Sequence, residues 1–368
     1  MRILMNPKTQ TKPKIAFVTA GGTILGIAEN SVSAKYKAGI LDNDSLLIQI
    51  PEIHQLAEII NLEFAKIDSA DMDNPTLLKL AFFLQELLED PSIQGIVITH
   101  GTDSLEESAY FLSLILQSSK PVIFTASMRP SNVLSYDGSR SLYNAFLLAS
   151  RLLKQLHKTE NNVFVVIGDF IYHAHQIRKT HTLSTAAFED TKPLGSITNS
   201  QIFFHMPKLK TNKTELPSIY QLKDKLLPRV EILYAYQNDS CASLATFLFA
   251  QGVRGFVIAG LGAGNINNRI LKQDEVDCNL FGIKPPITQK MLLQALNKHG
   301  AFIVMSSRVN NALIAHSEFL NAYNLNPQKA RILLMLALSA QKFQNLKTLQ
   351  SRRKWIENIF STEGTKCL

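Results

Sequence analysis

The sequence predicts an α/β protein built on a parallel sheet, and three observations support this prediction. Short continuous runs of Val, Ile, Phe and Ala recur along the 368-residue chain, and helix-like segments separate them. Continuous apolar runs are typical of strands buried on both faces of a parallel sheet. Their alternation with helices predicts that helices cover both faces of this sheet. Apolar residues make up 46% of the chain, which is enough for a sizeable core in each of two domains.

The predicted elements follow one another in order. The first strand is KIAFVTA, residues 14–20, which runs into Gly21-Gly22. Six further apolar runs are predicted to be strands: residues 95–99, 121–127, 163–168, 231–236, 255–260 and 301–306. Helices are predicted over residues 75–89, 105–117, 139–156, 240–251 and 288–299. The residues from 340 onward have a helical pattern and are expected to form a surface helix.

A chain of this length is expected to form about two domains. Residues 206–228 contain three prolines and few apolar runs, which is typical of a linker or a crossing loop. We therefore predict an N-terminal domain at residues 1–206, a linker at 207–228, and a C-terminal domain at 229–368 that ends in the extra helix. The N-terminal domain is expected to be the larger, with a parallel, Rossmann-like sheet, and the C-terminal domain to be a smaller α/β unit.

Composition narrows the class of protein. The formal net charge of +8 affects association and solubility but does not by itself indicate nucleic acid or a membrane surface. The first residues lack the apolar core of a signal peptide, and no apolar run reaches the roughly 18 residues of a membrane span. Three widely separated cysteines, Cys241, Cys278 and Cys367, form no framework and suit a reducing compartment. We expect a cytoplasmic protein without a cofactor, a nucleic-acid partner or a membrane span.

Threonines follow two of the predicted strands. Thr102 and Asp103 come after residues 95–99, and Thr23 comes after the first strand and two glycines. Chemistry in open α/β sheets collects at the carboxyl ends of the strands, so both threonines are expected at one edge. A threonine hydroxyl becomes a nucleophile when a base takes its proton and a third group orients that base. The alternative for Thr102 and Asp103 is a plain turn in which both side chains make local hydrogen bonds.

A capping box is predicted beside the second threonine. Ser104 and Glu107 have the S-x-x-E spacing, so Ser104 is assigned to the start of the following helix. His100 is expected to support the Thr-Asp pair without reacting. The glycines after the first strand fit neither a phosphate-binding loop nor G-x-G-x-x-G, because the required residues and spacing are missing.

Three histidines, His173, His175 and His181, lie within nine residues of each other. An H-x-H pair with a third histidine is a pattern that can bind zinc. Since no cysteine or acidic residue completes the set, a polar loop is the preferred interpretation and no metal is predicted.

Several motifs together resemble the bacterial-type L-asparaginase family, and they occur in order between about residue 14 and about residue 340. They are GGTI (21–24), ITHGTDSLEESAYF (98–111), MRPS (128–131), YDGSRSLYNA (136–145), RKTHT (178–182), AGLGAGN (259–265) and NPQKAR (326–331). The resemblance implies a hydrolase that converts L-asparagine to L-aspartate and ammonia through a threonine acyl-enzyme, often with a side activity on L-glutamine.

The resemblance implies five catalytic residues. Thr23 matches the family nucleophile, and Tyr36 matches the tyrosine beside it on a mobile lid. Thr102, Asp103 and Lys179 match a second triad, near which backbone N–H groups are expected to form an oxyanion hole. Two roles stay open for Lys179, because burial favours a neutral amine that acts as a base whereas the adjacent carboxylate favours an ammonium. As an ammonium it would orient Thr102 or stabilise the oxyanion.

The resemblance also implies substrate contacts. Ser69 is expected to bind the α-carboxylate of the substrate, and Asp103, with Thr102 beside it, to bind the α-ammonium. Ala70 stands where many secreted members carry a glutamine that touches the substrate. Asn265 matches an asparagine that takes part in a contact between subunits, so a dimer or a dimer of dimers with the site at the chain interface is expected.

One part of the family pattern is missing. The family borrows a glutamate from a neighbouring subunit, and this glutamate lies in the stretch that corresponds to residues 310–325. That stretch is shorter here, and its only acidic residue, Glu318, is a weak match. This shortening and Ala70 motivate a rival hypothesis, a non-catalytic binder of aspartate or asparagine.

A second rival is the asparaginase-like subunit of a tRNA amidotransferase, which releases ammonia for a partner. That subunit carries an extra N-terminal domain before the GGT motif, whereas only residues 1–22 precede Thr23 here.

Overall fold

The computed structural model describes residues 12–33, 35–117, 119–152, 162–205, 215–272, 281–309 and 313–365. The chain divides into two compact units, Met1–Thr211 and Asn212–Leu368. Residues 207–214 of the predicted linker lie outside the described residues. The rest of that linker contains a 3₁₀ helix at Ile219–Leu222, whose two end residues are buried.

The first unit is built on an eight-stranded mixed sheet in the order β10-β9-β8-β7-β6-β5-β1-β4. Its strands are β1 (Lys14–Gly21), β4 (Glu58–Ile67), β5 (Gly95–Thr99), β6 (Val122–Thr125), β7 (Val163–Ile167), β8 (Phe170–His173), β9 (Gly195–Thr198) and β10 (Gln201–Phe204). A separate two-stranded ribbon pairs β2 (Ile27–Ala28) with β3 (Tyr36–Lys37) in antiparallel fashion. The four neighbouring pairs from β4 to β7 are parallel, which confirms the predicted fold class.

Four strands of this sheet were not predicted. β4 lies at one edge, and Glu58, Asn61 and Glu63 interrupt its apolar residues, so it has no continuous apolar run. β8, β9 and β10 have only four residues each and extend the other side of the sheet with antiparallel pairing. The sheet is therefore mostly parallel rather than entirely parallel.

The helices of the first unit are α1 (Asn43–Ile48), α2 (Ile53–Leu56), α3 (Asn74–Glu89), α4 (Leu105–Ile115) and α5 (Gly138–Leu152). Asp42 and Asp73 cap α1 and α3, because each carboxylate accepts a backbone N–H at the third helical position. The predicted capping box at Ser104 is wrong. The Ser104 hydroxyl makes no cap hydrogen bond and instead donates to the backbone oxygen of Ser69, 2.5 Å away.

The core of the first unit forms where helices cover the sheet. All residues of β5, β6 and β7 are buried, as their continuous apolar sequences predict. α5 packs its apolar face on these strands, and the rings of Phe17 and Phe146 lie 5.6 Å apart between β1 and this helix. This packing fixes the strand ends from which the site is built.

The second unit contains a four-stranded parallel sheet in the order β11-β12-β13-β14. Its strands are β11 (Val230–Tyr234), β12 (Gly255–Gly260), β13 (Phe302–Ser307) and β14 (Leu320–Asn321). Its helices are α6 (Cys241–Ala250), α7 (Gln289–Lys298), α8 (Pro327–Ser339), α9 (Gln341–Asn345) and α10 (Leu349–Gly364). The predicted smaller α/β unit is confirmed.

The C-terminal helix α10 forms as predicted, and one of its faces is buried. Thr348 caps its start by accepting the backbone N–H of Ser351. Trp355 is 6% exposed, and its indole N–H donates to Glu215, 2.7 Å away, so this helix is tied to the described end of the predicted linker. Within the described ranges, the chain contains no helix with the length and apolar content of a membrane span.

Candidate active site

Two loops meet at the carboxyl edge of the large sheet. Thr23 lies in a 3₁₀ turn directly after β1, and Thr102 follows β5, the parallel neighbour of β1. Gly22 and Gly101 bring the loops into backbone contact, since a Cβ on Gly22 would lie 2.5 Å from the Gly101 nitrogen. Gly22 also has a φ of +90°, a backbone angle that residues with a side chain rarely adopt. Glycine is therefore required for this approach.

Thr23 contacts a tyrosine from the small ribbon. Pairing of β3 with β2 places Tyr36 opposite Ala28, and its hydroxyl lies 2.8 Å from Thr23 Oγ1. Either oxygen can be the donor of this hydrogen bond. Thr23 is 7% exposed and Tyr36 is 40% exposed, so the pair joins a buried hydroxyl to a residue that water reaches.

Thr102 contacts a lysine from the segment between β8 and β9. Lys179 Nζ donates to Thr102 Oγ1 at 2.9 Å and forms an ion pair with Asp103 Oδ1 at 2.6 Å. The lysine side chain is 16% exposed, whereas that of Asp103 is 65% exposed. Because Nζ approaches a carboxylate and a hydroxyl oxygen together, the arrangement suits an ammonium that donates to both.

Ser69 reaches the same place from the end of β4. It begins a 3₁₀ turn that Asp68 caps by accepting the backbone N–H of Ala70 at 3.0 Å. Ser69 is 3% exposed and packs so closely on Gly101 that a Cβ there would lie 2.5 Å from its hydroxyl oxygen. The loops after β1, β4 and β5 therefore pack on one another.

These loops enclose a cavity of about 420 Å³, within the range of about 300–1,000 Å³ that is usual for small-molecule sites. Six of the predicted site residues line it: Thr23, Tyr36, Ser69, Thr102, Asp103 and Lys179. Both threonine hydroxyls, an exposed carboxylate and a lysine thus face one space. Such a set can bind a small zwitterion and present a nucleophile to it.

Comparison with known proteins places the chain in a family. The sequence-family model of the asparaginase N-terminal domain matches residues 14–210, and that of the glutaminase/asparaginase C-terminal domain matches residues 229–351. The chain belongs to the asparaginase family. The resemblance inferred from the motifs is therefore confirmed.

Similar proteins span nearly the whole chain. It is 35% identical over 336 residues to L-asparaginase 2 of Bacillus subtilis (strain 168), which covers 89% of this chain and 83% of that protein. It is 34% identical to a probable periplasmic L-asparaginase of Haemophilus influenzae, covering 90% of each. The crystal structure of a probable cytoplasmic L-asparaginase from Campylobacter jejuni matches with a TM-score of 0.79 and 36% identity, covering 94% of this chain and 99% of that one.

Three residues considered from the asparaginase resemblance do not line the cavity. Ala70 is exposed beside Ser69. Asn265 lies in the second unit, where its backbone oxygen accepts the N–H of Leu261 at 2.8 Å. Glu318 is paired within its own unit with Lys290, 2.5 Å away. Residues 310–312 of the shortened stretch lie outside the described residues.

His100 does not line the candidate site, although it directly precedes Gly101, which does. It is fully buried, its Nδ1 lies 2.8 Å from the Gly101 oxygen, and its ring packs against Phe124. Burial lowers the pKa of His100 to about 4, so the ring is neutral near pH 7. It does not line the cavity, in line with the expectation that it supports the loop without reacting.

The three histidines near Lys179 do not gather into one site. His173 and His175 are buried, with rings 5.8 Å from Phe164 and 5.5 Å from Tyr110, so the predicted polar loop is wrong for these two. His181 is exposed, and its Nε2 lies 3.7 Å from an oxygen of Asp190. Among the residues that the structure describes, no group of three His, Cys, Asp or Glu could hold a metal.

Three residues outside the predicted catalytic set hold the loops of the site in place: Asp137, Ser104 and Glu106. Asp137 accepts the backbone N–H groups of Met128 and Arg129 at 3.0 and 2.9 Å, which shapes one wall of the cavity. Burial raises the pKa of the Asp137 carboxyl, although these N–H groups oppose the shift. Ser104 and Glu106 likewise hold loops, and only long-range contacts reveal this.

Proposed function

We propose that this member of the asparaginase family hydrolyses L-asparagine to L-aspartate and ammonia, with a side activity on L-glutamine. It is thus an amidohydrolase acting on linear amides. The observation that carries the proposal is the pairing of Thr23 with Tyr36, and of Thr102 with Lys179 and Asp103, around one cavity. The names of its relatives support the same reaction.

The substrate binds as a zwitterion. The Asp103 carboxylate is 65% exposed, so it can accept the substrate α-ammonium while it keeps its ion pair with Lys179. Ser69 donates its hydroxyl to the α-carboxylate. These two contacts direct the side-chain amide toward the threonines.

Thr23 then attacks the amide carbon. The new C–O bond forms as the Thr23 hydroxyl proton passes to the Tyr36 oxygen and Tyr36 passes its own hydroxyl proton on toward the amide nitrogen. The amide oxygen becomes an oxyanion that backbone N–H groups near Thr102 stabilise. The tetrahedral intermediate collapses when its nitrogen is protonated and leaves as ammonia, which produces the acyl-enzyme on Thr23. Water attacks this ester by the same route and releases L-aspartate and the free hydroxyl.

Lys179 acts as an ammonium in this scheme. Its contacts of 2.9 Å to Thr102 and 2.6 Å to Asp103 fix the direction of the Thr102 hydroxyl. The fixed hydroxyl and the positive charge face the oxyanion and stabilise it. A second assignment of the nucleophile is also supported, since Thr102 has both a partner amine and a carboxylate that orients it, the arrangement expected of an activated nucleophile.

We further propose that the enzyme is a cytoplasmic homo-oligomer, a dimer or a dimer of dimers, in which Asn265 contributes to the contact between chains. Exposed apolar side chains in the second unit support self-association: Tyr234, Leu244 and Phe247 are 56%, 50% and 62% exposed. The name of the Campylobacter jejuni neighbour supports the cytoplasmic location. Light scattering during gel filtration tests the oligomer, and a monomer at micromolar concentration would contradict it.

Ammonia release from purified protein with L-asparagine and L-glutamine, each over a wide concentration range, tests the function. Release from asparagine is expected to disappear in Thr23→Ala and to fall sharply in Thr102→Ala. The exposed Thr198→Ala is the matched control and should leave the rate unchanged. Full hydrolysis in Thr23→Ala would overturn the proposed nucleophile. Absence of ammonia from wild-type protein whose melting temperature rises with aspartate would favour a non-catalytic binder.

A further inference from the structure

The first turn of α4 contacts two other loops of the site. Ser104 donates its hydroxyl to the Ser69 backbone oxygen at 2.5 Å. Glu106 accepts the Lys179 backbone N–H at 3.1 Å. Neither Ser104 nor Glu106 lines the cavity, yet they lie one and three positions after Asp103 in the sequence. One short segment therefore carries reactive groups and also holds the loops that bring their partners.

The contact to Glu106 ties the lysine loop to α4. Arg178 and Thr180, on either side of Lys179, donate their backbone N–H groups to Thr191 at 3.1 Å and to Ala187 at 2.7 Å. Those two partners lie in the same segment between β8 and β9 as the lysine. Glu106 joins Lys179 instead to the element that carries Thr102 and Asp103, the two residues that Lys179 Nζ must reach.

Glu106 is suited to act as a fixed anchor. It is 8% exposed, and it lies in the first turn of α4, where the helix dipole stabilises a carboxylate. A hydrogen bond from a backbone N–H to a carboxylate is stronger than one between neutral groups. Because a lysine side chain has four rotatable bonds, fixing its backbone restricts where Nζ can lie. The contacts of Lys179 Nζ to Thr102 and Asp103, at 2.9 and 2.6 Å, therefore depend on the position of the Lys179 backbone.

The contact to Ser104 acts on substrate binding rather than on chemistry. Ser69 is 3% exposed, and its hydroxyl side packs on Gly101. Ser104 fixes the opposite, carbonyl side of the same residue. If Ser104 loses its hydroxyl, the Ser69 backbone can move, and the hydroxyl that meets the substrate carboxylate moves with it. The partners of Thr23 and Thr102 stay in place.

We propose that Ser104 and Glu106 are positioning residues with separate tasks. Ser104 sets substrate affinity through Ser69, and Glu106 sets the rate of the chemical step through Lys179. The inference rests on the proposed amide hydrolysis, because it assigns these residues to steps of that reaction.

Steady-state ammonia release and calorimetric L-aspartate binding test the two tasks. Ser104→Ala is expected to raise KM and the Kd of L-aspartate by about tenfold, the effect of one hydrogen bond, with kcat within twofold of wild type. Glu106→Leu is expected to lower kcat by about 10²-fold, the effect of a displaced catalytic group, with the Kd of L-aspartate unchanged. Glu106→Gln keeps an acceptor oxygen and should recover most of this kcat.

Glu107→Gln is the matched control, because Glu107 lies in the same turn and carries the same charge. Its kcat and KM should equal those of wild type. Equal effects of Ser104→Ala and Glu106→Leu on both constants, with matching losses of melting temperature, would show that the turn is only structural and overturn the proposal. Glu106→Gln as slow as Glu106→Leu would do the same. If wild-type protein releases no ammonia, the proposed function fails, and the role of Glu106 fails with it. The role of Ser104 is still tested in that case, because it predicts a higher Kd of L-aspartate for Ser104→Ala.

Discussion

Thr23 Oγ1 and the hydroxyl oxygen of Tyr36 lie 2.8 Å apart, although one residue follows β1 and the other lies in a separate two-stranded ribbon. The threonine is buried and the tyrosine is partly exposed. A hydroxyl that is to attack an amide needs a partner that accepts its proton, and Tyr36 lies within reach of that proton. In the proposed reaction, the ribbon therefore contributes to the chemistry by placing this one oxygen.

Tyr36→Phe removes that oxygen and keeps the ring. We expect kcat for L-asparagine to fall by about 10²- to 10⁴-fold, the usual contribution of a positioned proton acceptor. Ammonia release at saturating substrate measures this. Tyr143→Phe is the control, since the Tyr143 hydroxyl contacts only Ser200 among described side chains and does not line the cavity. A Tyr36→Phe enzyme as fast as wild type would show that Thr23 does not depend on Tyr36.

Lys179→Met removes the ammonium but keeps most of the volume of the side chain. Thr102 then loses a donor at 2.9 Å, and Asp103 loses its ion pair. We expect kcat/KM to fall by about 10²- to 10³-fold, as when one donor to an oxyanion is removed. Lys192→Met, at an exposed position in the same inter-strand segment, is the control. Comparable losses in both variants would point to general destabilisation rather than to a role of Lys179.

Gly22→Ala and Gly252→Ala separate backbone strain from crowding. Both glycines have a φ of +90°, but a Cβ on Gly22 would lie 2.5 Å from the Gly101 nitrogen, whereas one on Gly252 meets nothing within 4 Å. Each substitution is expected to cost about 1–2 kcal/mol of stability from strain alone. Only Gly22→Ala should also separate Thr23 from Thr102 and lower kcat by about 10²-fold. A Gly22→Ala enzyme with the same kcat as Gly252→Ala would contradict this account of the loop contact.

His100 should make the stability of the enzyme depend on pH. Its pKa is about 4 in the folded chain because of burial, against an ordinary value of 6.5, so the unfolded chain binds a proton that the folded chain excludes. The contribution of neutral His100 to the free energy of unfolding is fully present above pH 6.5, and it falls by about 3 kcal/mol as the pH drops toward 4. The melting temperature of His100→Asn should therefore approach or pass that of wild type as the pH falls from 7 to about 4.5. A constant difference between the two proteins, matching that of the exposed His54→Asn, would contradict the assignment.

Most of the buried strands could be predicted from continuous runs of apolar residues in the sequence. The strands β5, β6, β7, β12 and β13 are buried on both faces, and their sequences show it directly. β4 was missed because an edge strand exposes one face and so carries polar residues. β8, β9 and β10 are too short for a pattern of alternation to stand out.

Residues of the candidate site could be predicted where they belong to sequence motifs. They could not be predicted where their roles depend on contacts that form only in the folded chain. The threonine motifs and RKTHT pointed to residues that line one cavity, although 77 positions separate Thr102 from Lys179 and no spacing rule connects them. Ser104 shows the opposite case. Its local pattern predicted a helix cap, but the Ser69 oxygen, 35 positions away, takes the hydroxyl instead. A local sequence pattern such as the capping box does not account for a hydrogen-bond acceptor that only the folded chain brings close.

The most direct test of the account is to find where the acyl group is attached during turnover. Acid quenching of the enzyme with L-asparagine, followed by tryptic mass spectrometry, separates the two threonines, because trypsin releases Thr23 within residues 15–35 and Thr102 within residues 80–140. The account predicts one aspartyl group on the 15–35 peptide, absent in Thr23→Ala. An aspartyl group on the 80–140 peptide would contradict it and make Thr102 the nucleophile.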